Sequence, residues 1–133
     1  MGLHTALYRA SGGRLGHTIP GVPGKMLLLD HTGAKSGTKR TSPLLYVRDG
    51  DDVVVVASKG GFPKHPAWYH NLVANPDTTV QIGSHKVKVH ARVAKPEERD
   101  RLWKLAVKAY RGYEDYAARS KGREIPLVIL EPR

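Results

Sequence analysis

At 133 residues the chain is about one domain long, and its 40% hydrophobic and 26% charged residues are the balance of a folded protein with a core to bury. It has no cysteine, which excludes disulfides, thiolate catalysis and cysteine-held metals, and no apolar run approaches the ~20 residues a membrane-spanning helix needs. Twenty-two Lys and Arg against twelve Asp and Glu give a formal charge of +10, a surface that draws nucleic acid, an acidic membrane face or a polyanionic small molecule. Residues 1–24 read as a short N-terminal helix over 3–10 followed by a loop, with Gly12, Gly13 and Gly16 ending the helix. This start lacks the apolar stretch of a secretory signal, and Ala6 breaks the myristoylation pattern, so the expected location is the cytoplasm.

Residues 25–133 read as one domain. Met26, Leu27, Leu28 and Leu29 make a first strand, and residues 41–48 a second, with Pro43 near its start or on an edge. Asp49-Gly50-Asp51-Asp52 turns the chain into a buried strand over 53–58, which completes a hairpin. Pro66 suits the first turn of a short helix that ends before Asn75-Pro76. A second hairpin, 78–82 and 86–93, turns at Gly83-Ser84, and its return strand alternates Val87, Val89, Ala91 and Val93 with Lys86, Lys88, His90 and Arg92. Pro96 opens a longer helix reaching about Tyr110, with Glu97 and Glu98 at the positive end of its dipole. A short helix over 113–120 and a closing strand over 125–130 follow. Strands in meander with one inserted helix, a longer helix and a last strand predict an α+β chain, a small antiparallel barrel with helices packed outside.

Four segments carry candidate chemistry. Gly33-Ala34-Lys35-Ser36-Gly37-Thr38-Lys39-Arg40 combines glycines that let backbone N–H groups converge with Lys, Arg and Ser, a set that suits a phosphate or carboxylate. It lacks the glycine spacing of a Walker A loop, and a solvated basic turn has the same composition. Ser58-Lys59-Gly60-Gly61 allows close approach of a ligand to the backbone, or is a surface loop. In His65-Pro66-Ala67-Trp68-Tyr69-His70-Asn71 an opening helix offers free N–H groups, an aromatic face and an amide able to read a heterocycle edge. Trp68 equally serves as the anchor of that helix on the barrel, and the two roles are compatible. Tyr110, Tyr113 and Tyr116 are either core packing or an aromatic lid with a phenol to donate a proton. The seven histidines lack H-E-x-x-H spacing, so no metal is expected, and no G-x-S-x-G elbow occurs. Without an evident protein nucleophile, a cofactor has to carry the chemistry.

Taken in order, T-G-A-K-S-G-T-K-R-T-S-P-L, R-D-G, A-S-K-G-G, H-P-A-W-Y-H-N-L-x-A-N-P, Y-R-G-Y-E-D-Y and I-P-L-V-I-L-E-P resemble the deazaflavin (F420)-dependent nitroreductase family, from about residue 25 to the C-terminus. The resemblance implies a split antiparallel β-barrel (FMN-binding-like) with peripheral helices, and reduced coenzyme F420 as hydride donor to a quinone, nitroaromatic or activated C=C. By position it implies that Ala34, Lys35 and Ser36 line the cofactor's phosphate and polyglutamate tail. Arg40, Thr41, Ser42, Pro43, Leu44 and Leu45 border the same groove, with Arg40 pairing to an anion. Val56, Ala57, Ser58 and Lys59 run beside the deazaflavin ring, and Ala67, Trp68, Tyr69, His70 and Asn71 flank it. Tyr113 completes the pocket, while Ser58 and Tyr116 lie near the acceptor as the catalytic candidates. Ala34 departs from the Arg of many members, which removes one tail contact.

The partners expected are a small-molecule acceptor and no nucleic acid, the chain being a monomer or homodimer; weak peripheral contact with the inner membrane face stays open. Three other readings are kept: an FMN-binding split-barrel reductase, a cofactor carrier without turnover, and a small basic nucleic-acid binder stacking bases on Trp68 and Tyr113.

Overall fold

The structure, a computed structural model, describes residues 25–57, 65–110, 113 and 125–133. The helix expected over 3–10, and the one over 113–120 apart from Tyr113, fall outside these. Among the described residues six strands and two helices follow in chain order: β1 (Lys25–Thr32), β2 (Lys39–Asp49), β3 (Asp52–Val56), α1 (Ala67–Ala74), β4 (Asp77–Ile82), β5 (His85–Val93), α2 (Pro96–Ala109) and β6 (Leu127–Pro132). The strands close into a barrel in the order β1-β2-β3-β6-β5-β4, every neighbouring pair antiparallel.

Alternation along the strands decides which side chains fill the barrel. Leu27 and Leu29 of β1, Val53 and Val55 of β3, Val80 of β4, Val89 and Ala91 of β5, and Val128 and Leu130 of β6 form the inner core. The outward residues Val54, Val56, Leu127 and Ile129 form a second core beneath Leu102 and Ala106 of α2. Helix α1 closes one mouth of the barrel: its Trp68 and Leu72 belong to the inner core. The expected alternation of β5 fails only at Val93, which is 44% exposed. There β5 ends, and Val93 borders a shallow apolar depression with Tyr69, Leu72 and Val73 of α1.

Strand β2 starts two residues earlier than expected and carries Pro43 inside it, opposite Leu28. It pairs with β3 only through Val47, Arg48 and Asp49, so Pro43 lies where β2 has a partner on one side, the position a strand proline tolerates. The seam between β1 and β4 is short, with only Leu28 opposite Gln81 and Leu29 opposite Val80. Just beyond it Thr78 Oγ1 donates to the Asp30 carbonyl, so a side chain takes over where the backbone ladder stops. Helix α2 is tied down at its start. The Glu98 carboxylate accepts the Lys95 N–H (2.8 Å) and the Arg92 guanidinium of β5 (2.5 Å).

Candidate cofactor site

The connection from β1 to β2 is a built loop. Gly33 N–H donates to Thr38 O (2.8 Å), Gly37 N–H to Gly33 O (3.0 Å), and Thr38 N–H to Ser36 Oγ (3.2 Å). Gly37 has φ +70°, a left-handed conformation that favours glycine, and a Cβ at Gly33 would run into Ser36 Oγ. Glycine at both places lets the loop fold back on itself and leaves Ala34, Lys35 and Ser36 exposed at its tip.

The loop is fastened to α1 from inside. Asn71 Oδ1 accepts the Ala34 N–H (3.0 Å), Asn71 Nδ2 bonds His31 Nδ1 (2.9 Å), and His31 Nε2 bonds Ser42 Oγ (2.9 Å). His31 and Asn71 are only 5% and 7% exposed. Burial is the main reason that the His31 pKa lies below its ordinary value; the charge of Arg40 lowers it further, and Asp30 opposes the shift.

Two cavities open beside this relay. One, of about 640 Å³, is lined by Gly33, Ala34, Lys35, Ser36, Arg40, Ala67, His70 and Asn71. The other, of about 760 Å³, has Asp30, His31, Lys39, Arg40, Thr41 and Ser42 in its wall, with Thr78 and Thr79 of β4 across from them. Arg40 belongs to both. Asp30 is the one acidic residue in either lining, and its carboxylate accepts the Thr41 hydroxyl (2.7 Å). The cations and backbone curl fit a polyanionic group.

Of the site residues expected from sequence, Ala34, Lys35, Ser36, Arg40, Ala67, His70 and Asn71 come together on the first groove, and Thr41 and Ser42 join Arg40 on the second. Tyr69 packs on the inner core with its ring 5.6 Å from that of His70. The others lie elsewhere. Trp68 is buried in the inner core, as the helix-anchor reading has it, and lines neither groove. Ala57 is in the inner core with its N–H on Pro126 O, and Val56 faces the outer one. Leu44 packs against the inner core, while Pro43 and Leu45, half-buried, alternate with it on the opposite face of β2. Tyr113 is buried in the outer core, 4.9 Å from the Tyr110 ring and 6.4 Å from that of Trp103. Ser58, Lys59 and Tyr116 fall outside the described residues. Sequence reasoning missed His31. Its signal was the alternation Leu27, Leu29, His31, which puts a histidine on the inward face of β1. Among the described residues no group of three or more His, Asp or Glu could hold a metal ion.

The chain is a split β-barrel with a basic groove at the mouth that α1 closes, a groove whose cations and backbone curl fit an anionic ligand. The sequence profile of the F420H(2)-dependent quinone reductase family matches residues 1–132, and the chain belongs to that family. It is 46% identical over 134 residues to an F420H(2)-dependent quinone reductase of Mycobacterium tuberculosis (strain H37Rv), covering 98% of this chain and 89% of the relative. Solved structures share the fold, among them the following two. One is an F420-H2 dependent reductase (FDR-A), at 47% identity and TM-score 0.73, covering 80% of this chain and 93% of its own. The other is a domain-swapped dimer, at 40% identity and TM-score 0.76, covering 96% and 92%. The chain is thus an F420-dependent oxidoreductase.

Proposed function

We propose that this chain reduces a quinone with F420H2, holding the cofactor's phosphate and glutamate tail along the 33–40 loop and its ring towards Ala67, His70 and Asn71. One observation carries this reading: a glycine-shaped loop with Lys35 and Arg40 shares a groove with the first turns of α1. Bound there, the reduced deazaflavin supplies a hydride. Lys35 and Arg40 bind the tail, each adding little and together more, while the loop and α1 orient the cofactor. Ser58 and Tyr116 are assigned to the acceptor side, Tyr116 or water returning the proton, with Lys59 beside the ring; Tyr113, packed in the outer core, has no part in the pocket. Nitroaromatics and activated C=C bonds are the other acceptors we assign, with the enzyme acting in the cytoplasm as a monomer or homodimer. The same reading includes weak peripheral contact with the inner membrane face.

The test mixes purified protein with F420H2 and menadione and follows cofactor absorbance. Oxidation above the enzyme-free blank is expected. None with a quinone, a nitroaromatic or an enone would overturn the reading, and tight FMN binding without F420 binding would replace it by a flavin enzyme.

A further inference from the structure

The bonds joining β1, the 33–38 loop, α1 and β2 fix each other's polarity. Ala34 N–H can only donate, so the amide oxygen of Asn71 must face the loop. The amide nitrogen therefore faces His31 and donates, which requires a bare lone pair on Nδ1. The imidazole proton is then on Nε2, where it donates to Ser42 Oγ. Every member has a matching partner only while His31 is neutral. A proton added at Nδ1 would point at the Asn71 NH2 group. Flipping the amide would repair that contact but turn the NH2 group onto the Ala34 N–H. In either arrangement two donors face each other in a buried place, and one bond is lost.

We infer that His31 and Asn71 are positioning residues: neutral His31 orients the Asn71 amide, the amide holds the Ala34 N–H, and the loop is thereby kept in the shape that receives the cofactor's anionic tail. This rests on the groove reading above. It also gives Asn71 a role other than reading the edge of the ring, since both ends of its amide already serve protein partners. The charges around His31 favour the neutral form. Arg40 lies beside it on β2, with Lys39 next along that strand. Lys35 on the loop and His70 on α1 line the groove behind Asn71. Thr78 and Thr79 of β4 are uncharged, and Asp30 of β1, the one opposing charge, is bonded to Thr41. Burial first, and the Arg40 charge with it, outweigh a single carboxylate.

The experiment compares the wild type with Asn71→Ala, Asn71→Asp and His31→Asn. It reads the NMR protection factor of the Ala34 amide, the titration of the His31 ring, and the dissociation constant for F420 by fluorescence. At pH 7.5, Asn71→Ala should lower Ala34 protection and weaken F420 binding, each roughly tenfold. In the wild type, Ala34 protection should fall as His31 gains its proton. His31→Asn keeps an acceptor near the Nδ1 position that cannot protonate, so protection there should not change with pH. Asn71→Asp is the decisive variant: a carboxylate accepts from Ala34 and from protonated His31 at once. It should raise the His31 pKa and preserve Ala34 protection in acid. Unchanged protection and F420 affinity in Asn71→Ala, or no rise of the His31 pKa in Asn71→Asp, would overturn the inference. A wild type that binds no F420 at any pH would overturn the groove reading instead, and the protection data would still judge the relay.

Discussion

Arg40 stands on the wall common to both cavities, where it can meet a ligand anion from either side and where its charge also reaches His31. It is exposed, so its attraction to a bound anion is that of a surface pair, about 0–1 kcal/mol. Arg40→Ala should therefore raise the F420 dissociation constant about two- to fivefold at low ionic strength, with turnover of bound cofactor changed less. That difference should shrink as salt passes about 0.15 M, where the screening length is ~8 Å. The same substitution removes a cation that disfavours charge on His31, so the His31 pKa should move up. Fluorescence titration across a sodium chloride series and NMR titration of the ring check both; equal affinity at every salt concentration would remove Arg40 from the tail site. Lys35 and Arg40 were singled out in the sequence as a basic glycine-containing segment after a strand, equally a solvated turn until the family resemblance gave it a ligand, and the structure brings both to one groove. His31 was not, because its role depends on Asn71, forty residues on and on another element.

At the scale of the element, α2 shows what a sequence signal contains and what it omits. Pro96 and the acidic first turn placed the helix within a residue of its end at Ala109, and the dipole argument accounted for Glu97 and Glu98 in general terms. The particular arrangement is stricter. Glu98 caps the Lys95 N–H and meets Arg92, which also pairs with Glu131 of β6 at 3.3 Å, so one carboxylate docks the helix on two strands. The Arg92 bond, then the Lys95 N–H, pull the Glu98 pKa down to about 2 from an ordinary 4.5. A depressed carboxylate pKa stabilises the fold fully above the unfolded value, and the contribution is lost as pH falls through the folded one. Glu98→Gln should cost about 1 kcal/mol near neutral pH, and its deficit against wild type should vanish between pH 4.5 and 2. Arg101 also ties α2 down, with bonds of 2.8 and 3.0 Å to Asp49, but its side chain is 60% exposed and the pair is screened by water, so Arg101→Ala should change stability less than Glu98→Gln does. Urea denaturation across pH ranks the two; a larger loss in Arg101→Ala would reverse the argument.

For the whole molecule, the element order and the barrel were legible because meander strands bring neighbours in sequence together, and the 77–82 and 85–93 segments carried their own turn. The closure was not, since alternation says which side chains face inward but not which two edges meet. That meeting is the β1–β4 seam, two residue pairs reinforced by Thr78 Oγ1 on the Asp30 carbonyl, whereas β3 and β6 pair over Val53–Val56 and are covered by α2. Local stability follows such contacts, so the barrel should open first at the seam. Native-state hydrogen exchange should then show the amides of Leu29 and Val80 opening at a lower free energy, and with a weaker denaturant dependence, than those of Val54 and Val55. Two substitutions separate the openings. Thr78→Val removes a bond that breaks in either event, so it should lower both free energies by about 1 kcal/mol. Ile129→Val trims the outer core under α2, which stays intact when only the seam parts; it should lower the Val54 and Val55 values by about 1 kcal/mol and leave Leu29 and Val80 unmoved. If Ile129→Val shifts all four amides alike, the barrel opens as one unit and the seam has no independent motion. If only Val54 and Val55 shift, the seam opens separately beside the His31 relay, and the mouth of the barrel can loosen around a ligand while the β3–β6 face and α2 stay folded.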